Sequence, residues 1–257
     1  MLKLILFSML FFSGVHGFSI NEINSFVKKS ENYIKKYKED YTKEPSSLHN
    51  VLKNNSILKK KIYNSLECDK IYKNKVVDTC YSFKNKGALA VAYAVDGNLV
   101  HVNNIEKRWN WHYNKEIPKR YRSSNSDYIR SGYDKGHCAF DSVFDYDSKV
   151  LYYTYDLNIN AVPMAAKVNR KTWIKSEYYT KKIATKLGRV NVIDYMVYSS
   201  HPKKIGRGQI SVPTGMFKII YNKEKDFMRC FYYENDLNVN VKSDKLKNHI
   251  VDCQDVF

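Results

Sequence analysis

The stretch Ser131-Gly132-Tyr133-Asp134-Lys135-Gly136-His137 is the densest chemical pattern in the chain. Histidine has an ordinary pKa that lets it take and return a proton near neutral pH. Gly136 permits a tight turn or the close approach of a substrate, and Asp134 can orient the imidazole or tie down the loop. A lone histidine is more often structural. A catalytic interpretation of His137, held at the end of a strand, therefore needs a second signal.

The second signal is Asn169-Arg170-Lys171-Thr172-Trp173-Ile174-Lys175-Ser176-Glu177, at the start of a helix predicted over about residues 169–187. With about 3.6 residues per turn, Asn169, Trp173 and Glu177 share one face of that helix. Asparagine and glutamate supply hard oxygen donors, which suit Mg²⁺. Taken alone, Asn169 would be more typical of a helix N-cap.

Length and charge restrict the class of protein. The chain has 257 residues, 44% of them hydrophobic, which favours one large domain or one domain with an appendage. Its 43 Lys and Arg residues against 26 Asp and Glu give a formal net charge of +17. Compositional bias of the coding sequence explains part of the lysine content but not the shortage of carboxylates. The balance suits a polyanionic partner such as nucleic acid or a phospholipid surface.

The N-terminal residues resemble a targeting segment. Lys3 precedes the apolar run Leu4–Phe12 and small residues up to Gly17, which predicts a secretory signal peptide over residues 1–17. That run is shorter than the about 20 residues of a membrane span, and no later segment is long enough. Residues 18–75, with a helix over Ser19–Tyr41 and shorter helices over Leu48–Leu66, are predicted to form a helical appendage to a core domain over residues 76–257.

The five cysteines are expected to form two disulfides and leave one thiol, as in an exported protein. The preferred pairing is local, Cys68 with Cys80 and Cys230 with Cys253, which leaves Cys138 as a buried thiol. A zinc site that includes His137 and Cys138 is a less favoured alternative, because no CxxC or HxxxH spacing supports it.

Aromatic and β-branched runs predict the strands of the core domain. Leu89–Tyr93 and Leu99–Val102 read as a hairpin around Asp96-Gly97-Asn98. Further strands are predicted at the following positions: Val150–Tyr155, Val190–Tyr198, Ile210–Val212, Met216–Tyr221 and a weakly alternating tail from Phe227.

A basic segment interleaved with aromatic residues lies before the His137 stretch. It runs from Glu106 to Tyr113 through Arg108, Trp109 and Trp111, and further basic residues follow at Lys119, Arg120, Arg122 and Arg130. Such a segment can hold phosphates and stack on bases. It can equally be a solvated loop with its tryptophans in the core, and the sequence leaves both interpretations open.

The order of these motifs resembles the DNA/RNA non-specific endonuclease family, the ββα-metal nucleases. The resemblance rests on Tyr128–His137, Asn160-Ala161-Val162-Pro163, Asn169 with Trp173 and Glu177, and Val212-Pro213-Thr214 leading into Phe217–Tyr221. It covers roughly residues 88–234. It implies an α+β fold with a central antiparallel β-sheet, flanking helices and a ββα-metal active-site motif.

The resemblance also implies roles for individual residues. His137 would be the general base, and Asn169 the one direct protein ligand of a hydrated Mg²⁺, for which Mn²⁺ or Ca²⁺ could substitute. Glu177 would orient the water shell of the ion, and Arg108 would stabilise the transition-state phosphate. Asn160 would brace the site, although by itself it would be expected only to bond nearby backbone.

Lys135 departs from the family pattern, which has arginine at that position. Lysine keeps the positive charge and loses the planar guanidinium that binds two oxygens at once, so activity is expected to be lowered rather than lost. Lys181, one turn beyond Glu177, could correspond to a family arginine or be an ordinary solvated lysine.

The sequence therefore predicts a secreted or periplasmic Mg²⁺-dependent endonuclease that cuts DNA, with RNA as a further substrate, without strong sequence preference. No helix-turn-helix or zinc-finger pattern suggests base recognition. Two rival hypotheses remain. One is a secreted nucleic-acid-binding module on a catalytically weakened scaffold, and the other is a toxin with an inhibitor or immunity protein as partner.

Overall fold

The computed structural model describes residues 55–102 and 105–256. The predicted signal peptide, the Ser19–Tyr41 helix and the rest of the appendage up to residue 54 lie outside these ranges. The α-helices of the described chain are α1 (Asn55–Ser65), α2 (Ser148–Tyr152), α3 (Leu157–Asn160) and α4 (Ile174–Leu187), and a π-helical turn, Val168–Trp173, precedes α4. The strands are β1 (Lys70–Lys73), β2 (Asp78–Ser82), β3 (Gly87–Asp96), β4 (Tyr133–His137), β5 (Ala161–Ala165), β6 (Arg189–Val197), β7 (Lys204–Ile205), β8 (Ile210–Ser211), β9 (Gly215–Asn222), β10 (Phe227–Glu234) and β11 (Ile250–Val251).

Seven strands form a central antiparallel sheet in the order β1-β2-β3-β6-β9-β10-β11. Successive side chains of a strand point to opposite faces. Ala90, Ile193 and Ile219 therefore enter a core on one face, together with α1. Asp194 and Lys218 point to the opposite face, over which α4 lies. The α+β class with a central antiparallel sheet is confirmed.

The ββα element lies beside this sheet. Strands β4 and β5 pair antiparallel, with His137 opposite Ala161, and β5 leads through the π-helical turn into α4. Gly136 lies opposite Val162, and a Cβ on Gly136 would be only 2.6 Å from the Cβ of Met164. The position therefore requires glycine, and the close approach fixes β4 and its terminal histidine against β5.

The predicted boundary at residues 75/76 falls inside the central sheet. Strand β1 lies before that boundary and pairs with β2 after it. In addition, Ile62 and Tyr63 of α1 are buried in the core. Within the described chain, residues 55–75 are part of the sheet domain, because β1 pairs with β2 and α1 packs into the core.

Both predicted disulfides are present. Cys68 bonds to Cys80 of β2, and Cys230 of β10 bonds to Cys253 near the C-terminus. Cys138 is free and buried, as predicted. Within the described ranges, no helix is long and apolar enough to cross a membrane.

The hairpin predicted around Asp96-Gly97-Asn98 is wrong. Strand β3 instead pairs with β2 and β6, so both of its edges are occupied and residues 99–102 form turns. The Gly97 N–H donates to Gly188 O at 2.8 Å, and a Cβ on Gly97 would lie 2.0 Å from the carbonyl oxygen of Ala184. The chain leaves the sheet here because it packs on the end of α4.

The strand predicted over Val150–Tyr155 is also wrong, because this segment forms α2 and a 3-10 turn over Tyr153–Tyr155. The Asp147 carboxylate accepts hydrogen bonds from the backbone N–H groups of Lys149 and Val150. Such an N-cap satisfies donors of the first helical turn and favours helix over strand. The strands predicted at 190–198 and 216–221 are observed as β6 and β9, and the Phe227 tail forms β10.

Candidate active site

His137 ends β4 within a set of aromatic rings. Its ring centroid lies 4.4 Å from that of Trp111 and 4.9 Å from that of Tyr155. Its Nε2 atom is buried and has no hydrogen-bond partner in the described chain. The pKa of His137 is lowered to about 4, mainly by burial; Asp141 acts to raise it and Arg108 acts to lower it. The imidazole is therefore neutral at pH 7 and able to accept a proton.

Asn160 holds the backbone that follows His137. Its Oδ1 accepts a hydrogen bond from Ala139 N at 2.8 Å, and its Nδ2 donates to Ala139 O at 2.9 Å and to Thr154 O at 2.8 Å. The side chain is fully buried, so all of these bonds form away from water. Bonding to nearby backbone was expected from the sequence, and here it fixes the position of the strand end that carries His137.

Asp134 orients Asn169. The Asp134 Oδ2 atom accepts a hydrogen bond from Asn169 Nδ2 at 3.0 Å, and Arg170 donates to both carboxylate oxygens at 2.8 and 2.7 Å. Of the two roles predicted for Asp134, orienting the imidazole or tying down a loop, the contacts match the second. Arg170 was not identified from the sequence, although it directly follows Asn169.

The helix predicted from Asn169 begins as the π-helical turn, and α-helical geometry starts at Ile174. Asn169 is not an N-cap, because its side-chain amide bonds to Asp134 instead. The Trp173 ring is buried and packs against Tyr233 at 5.2 Å. The expected single face of Asn169, Trp173 and Glu177 is therefore interrupted by a change of helical pitch. Such π-turns occur frequently at functional sites.

Glu177 lies in the first turn of α4 and is only partly exposed. The pKa of Glu177 is raised to about 7, mainly by burial; Lys218 and Lys181 lower it, whereas Asp194 and Asp141 raise it. Removal from water is therefore what disfavours the charged form of this carboxylate.

Lys181 is partly buried, so it is not the freely solvated lysine of the alternative interpretation. Burial lowers the pKa of Lys181, while Asp145 and Glu177 act to raise it. The amine therefore lies within the field of the site carboxylates.

Arg108 is held by two carboxylates. Its Nη2 atom lies 3.1 Å from Asp145 Oδ2, and its Nε atom lies 3.5 Å from Asp141 Oδ2. The Tyr155 hydroxyl donates to the same Asp141 oxygen at 2.5 Å. Because the Tyr155 ring contacts His137, this network places the guanidinium near the histidine. The partners in this network, Asp141, Asp145 and Tyr155, were not identified from the sequence. The one available signal was the position of Asp141, four residues after His137.

Lys135 lies two residues before His137 and so on the same face of β4. Its Nζ atom donates to Asn125 Oδ1 at 3.1 Å, and burial lowers its pKa. The ammonium group is a flexible point charge, so Lys135 cannot bind two oxygens side by side as a planar guanidinium would.

A buried ion pair lies beneath α4 and was also missed. Lys218 and Asp194 are both fully buried, with Lys218 Nζ at 2.8 and 2.9 Å from the two Asp194 oxygens. The Tyr93 hydroxyl lies 3.1 Å from Lys218 Nζ, which also sits 4.4 Å from the Trp173 ring centroid. Since Trp173 is one helical turn before Glu177, the pair supports the start of α4 from below.

The chain is similar in sequence to known nucleases. A model of the DNA/RNA non-specific endonuclease family matches residues 54–254. Endonuclease G, mitochondrial, from Bos taurus is 24% identical over 151 residues, which are 55% of this chain and 50% of that protein. Mitochondrial nuclease from Saccharomyces cerevisiae is 26% identical over 157 residues, or 55% of this chain and 47% of that protein. The chain spans about half the length of these curated relatives.

Among solved structures, the crystal structure of the EndoG/EndoGI complex, which concerns the mechanism of EndoG inhibition, has a similar fold. It superposes with a TM-score of 0.67 at 22% sequence identity, covering 84% of this chain and 89% of that one. The match to the family model runs from the beginning of α1 to the C-terminal disulfide and includes both halves of the candidate site. This chain belongs to the DNA/RNA non-specific endonuclease family.

Proposed function

We propose that this chain is a metal-dependent endonuclease that hydrolyses phosphodiester bonds of DNA and RNA without strong sequence preference. The observation that carries the proposal is the pairing of a neutral imidazole on β4 with an amide oriented by a carboxylate. His137 Nε2 has no hydrogen-bond partner in the described chain, and Asp134 fixes Asn169. A general base needs the first property, and a metal ligand benefits from the second.

The donor set fits a hard divalent cation, and we propose Mg²⁺, with Mn²⁺ and Ca²⁺ as substitutes. Asn169 directs its Nδ2 to Asp134, so its Oδ1 is the donor atom left for a cation. Glu177 is a partly enclosed carboxylate whose pKa is raised mainly by burial, so a cation beside it would stabilise its charged form. No group of three or more His, Cys, Asp or Glu in the described ranges could hold a metal. A hydrated Mg²⁺ with few protein ligands requires no such group. When bound, the cation would neutralise developing charge on the phosphate and the leaving oxygen.

The residues of the chain would then act as follows. His137 takes a proton from the attacking water and holds it on its imidazole. Arg108, fixed by Asp141 and Asp145, provides positive charge for the phosphate oxygens. Lys135 adds charge on the face of β4 that carries His137. Asn160 keeps the strand end in place, so that the base does not shift during the reaction.

The proposed lack of sequence preference follows from the charge. A net charge of +17 gives affinity for phosphates that is independent of base sequence and falls steeply with salt. We also propose that the protein acts outside the cytosol, in the periplasm or secreted. The signal-peptide pattern over residues 1–17 and the two disulfides support export, whereas the names of the relatives above place those proteins in mitochondria.

A plasmid-nicking assay tests the activity. Supercoiled plasmid should be nicked in low-salt buffer with Mg²⁺ and remain intact with EDTA. The substitution His137→Ala should abolish nicking, whereas His201→Ala, at an exposed histidine in the loop after β6, should not. A wild-type protein that leaves plasmid and RNA intact, or a His137→Ala protein that still nicks at the wild-type rate, would refute the proposal.

A further inference from the structure

Aromatic side chains extend from the active site onto the surface. We name Trp109, His112, Tyr152 and Tyr153 the aromatic shelf. Trp109 is 44% exposed and Tyr152 is 38% exposed, and their rings are in contact. Adjacent exposed aromatic rings lose the hydrophobic stabilisation that burial would give, and such patches commonly mark a binding surface. None of these four residues takes part in the reaction proposed above.

The rings of the shelf are held in place by the protein. The Trp109 Nε1 atom donates to Ser148 O at 2.9 Å, and the Trp109 ring meets the Tyr152 ring at 85° with centroids 5.3 Å apart. The His112 ring stacks in parallel on Tyr152, with centroids 4.1 Å apart. Because the rings are already ordered, a ligand that stacks on them loses little further side-chain entropy.

His112 contributes to the shelf as a neutral ring. Burial lowers the pKa of His112, and its Nδ1 atom is buried without a hydrogen-bond partner in the described chain. The shelf is therefore an aromatic surface rather than a cationic one, and it suits a flat, uncharged ligand group.

Positive charges lie around the shelf. The Lys75 Nζ atom is 5.5 Å from the Tyr153 ring centroid, and that ring is 5.8 Å from Tyr152. Lys107 and Lys149 are exposed and lie two residues before Trp109 and one residue after Ser148. A flat ligand that also carries negative charge would therefore be favoured, and a nucleotide is such a ligand.

Two carboxylates lie nearby in the chain. Asp147 accepts hydrogen bonds from the first backbone N–H groups of α2, so its charge is partly compensated by the helix terminus. Glu106 is exposed and lies one residue before Lys107. These two acids reduce the positive charge around the shelf but do not outnumber Lys75, Lys107 and Lys149.

The shelf is connected to the catalytic histidine through backbone and ring contacts. The backbone N–H of His112 donates to Tyr155 O at 3.0 Å, and the Tyr155 ring lies 4.9 Å from that of His137. The shelf and His137 therefore pack on the same residue, Tyr155, so a strand with a phosphate at His137 can place a neighbouring nucleotide on the shelf.

We propose that the aromatic shelf stacks an unpaired base next to the scissile phosphate and gives the protein a preference for single-stranded over duplex nucleic acid. In a duplex the bases are stacked on each other, so the protein can reach the phosphates but not a free base face. Phosphate contacts serve both substrates, whereas the shelf serves only the unpaired strand. The proposal rests on the proposed nuclease function, because it uses the same site.

The test measures binding in the cleavage-inactive His137→Ala background. Three labelled probes of about 20 nucleotides, a length that exceeds typical single-strand site sizes, are compared by fluorescence anisotropy in EDTA. They are a single strand, the matching duplex, and a strand of abasic sites that keeps the phosphates. Adding Trp109→Ala should raise the Kd for the single strand about tenfold. It should leave the Kd for the duplex and for the abasic strand unchanged within about twofold. Tyr152→Ala should have the same selectivity.

Two variants serve as controls. Trp109→Phe keeps a stacking ring and should retain most of the single-strand affinity. Ile71→Ala removes a side chain of the same 44% exposure from β1 and should change none of the three values. Thermal unfolding midpoints establish that each variant is folded. If Trp109→Ala does not fold, Tyr152→Ala carries the test, because the same selective loss is expected of it.

The outcomes separate the shelf from the nuclease function. Equal losses for all three probes, or no loss for any, would overturn the shelf even if the wild-type protein nicks plasmid. A change of oligomeric state on Trp109→Ala, measured by sedimentation, without a change in single-strand Kd would assign the surface to a second copy of the chain and would also overturn it. Absence of nicking by the wild-type protein, with selective binding retained, would remove the nuclease proposal and leave the shelf as a binding site.

Discussion

The Asp134 carboxylate determines which end of the Asn169 amide is free. Asp134 Oδ2 lies 3.0 Å from Asn169 Nδ2. The reverse amide orientation would place two oxygens, one of them charged, against each other, so the chemistry excludes it. The Asn169 oxygen is consequently turned away from Asp134 before any cation arrives. In a cation site with Asn169 Oδ1 as the one direct protein ligand, this fixed orientation is the main contribution that the chain can make to metal affinity.

The first prediction concerns Asp134→Asn. An asparagine at this position can pair with Asn169 in either amide orientation, so the Asn169 oxygen is no longer directed outward. We expect the Mg²⁺ concentration for half-maximal nicking to rise about 10- to 100-fold, the range typical of partners behind metal ligands. The rate at saturating Mg²⁺ should fall much less. The measurement is the nicking rate as a function of Mg²⁺ concentration.

Arg170→Gln is the matched control for Asp134→Asn. It removes the other partner of the Asp134 carboxylate and leaves the Asp134 to Asn169 bond intact. The Arg170 side chain is 67% exposed, and solvent screens exposed ion pairs strongly, so the Mg²⁺ requirement should change less than about fivefold. Equal effects of the two substitutions would show that Asp134 does not act through Asn169.

The second prediction concerns Lys135→Arg. Lys135 bonds to Asn125 Oδ1, and an arginine there would present a planar fork of N–H donors that can bind two phosphate oxygens side by side. We expect the nicking rate to increase severalfold, and Lys135→Met to decrease it. The control is Lys186→Arg, at an exposed lysine near the end of α4, which should have no effect. If Lys135→Arg is slower than the wild-type protein, the lysine is adapted to this site and the expected weakening is wrong.

Some of these features could be predicted from the sequence because they depend on short chain separations. Cys68 and Cys80 are 12 residues apart, and Cys230 and Cys253 are 23 apart, so local pairing was the simplest arrangement and is the one observed. His137 lies at the end of a strand, as the glycine before it suggested. The order of the family motifs likewise indicated the α+β class without requiring any long-range contact to be known.

Other features depend on partners that are remote in sequence. Lys218 reads as an ordinary polar residue of a strand, and its burial makes sense only because the β6–β9 register places it opposite Asp194. Asp134 bonds to Asn169, which lies 35 residues later in the chain. The sequence could not show whether Asp134 would contact His137 or this remote residue. In the same way, residues 99–102 could not form a hairpin because β6 already occupies the edge of β3. Sequence windows contain none of this information.

The third prediction concerns Glu177→Gln in metal-free buffer. The pKa of Glu177 is raised from 4.5 to about 7 on folding, so the folded state binds this proton more tightly than the unfolded state does. The folded protein therefore loses stability as pH rises from about 4.5 through 7, and the full cost remains above 7. Glutamine has no such cost. We expect Glu177→Gln to be more stable than the wild-type protein by on the order of 1 to 3 kcal/mol near pH 8, with little difference near pH 4.

Urea unfolding with EDTA at the two pH values measures this difference. Glu234→Gln, at an exposed glutamate at the end of β10, is the control and should differ from the wild-type protein by less than about 0.5 kcal/mol at both. Added Mg²⁺ should stabilise the wild-type protein more than Glu177→Gln near pH 8. A wild-type protein as stable as Glu177→Gln at both pH values would mean that the carboxylate is not strained in the folded state.

The fourth prediction concerns the buried pair of Lys218 and Asp194. Lys218→Met leaves the Asp194 carboxylate buried with only the Tyr93 hydroxyl as a partner, so unfolding free energy should fall by about 3 to 5 kcal/mol. Asp194→Asn in the same protein removes the stranded charge, and the double variant should be more stable than Lys218→Met alone. A double-mutant cycle measured by urea unfolding gives the coupling energy, expected at about 1 to 3 kcal/mol because the two side chains are in direct contact. Additive losses would show that the two charges do not stabilise each other in the folded protein.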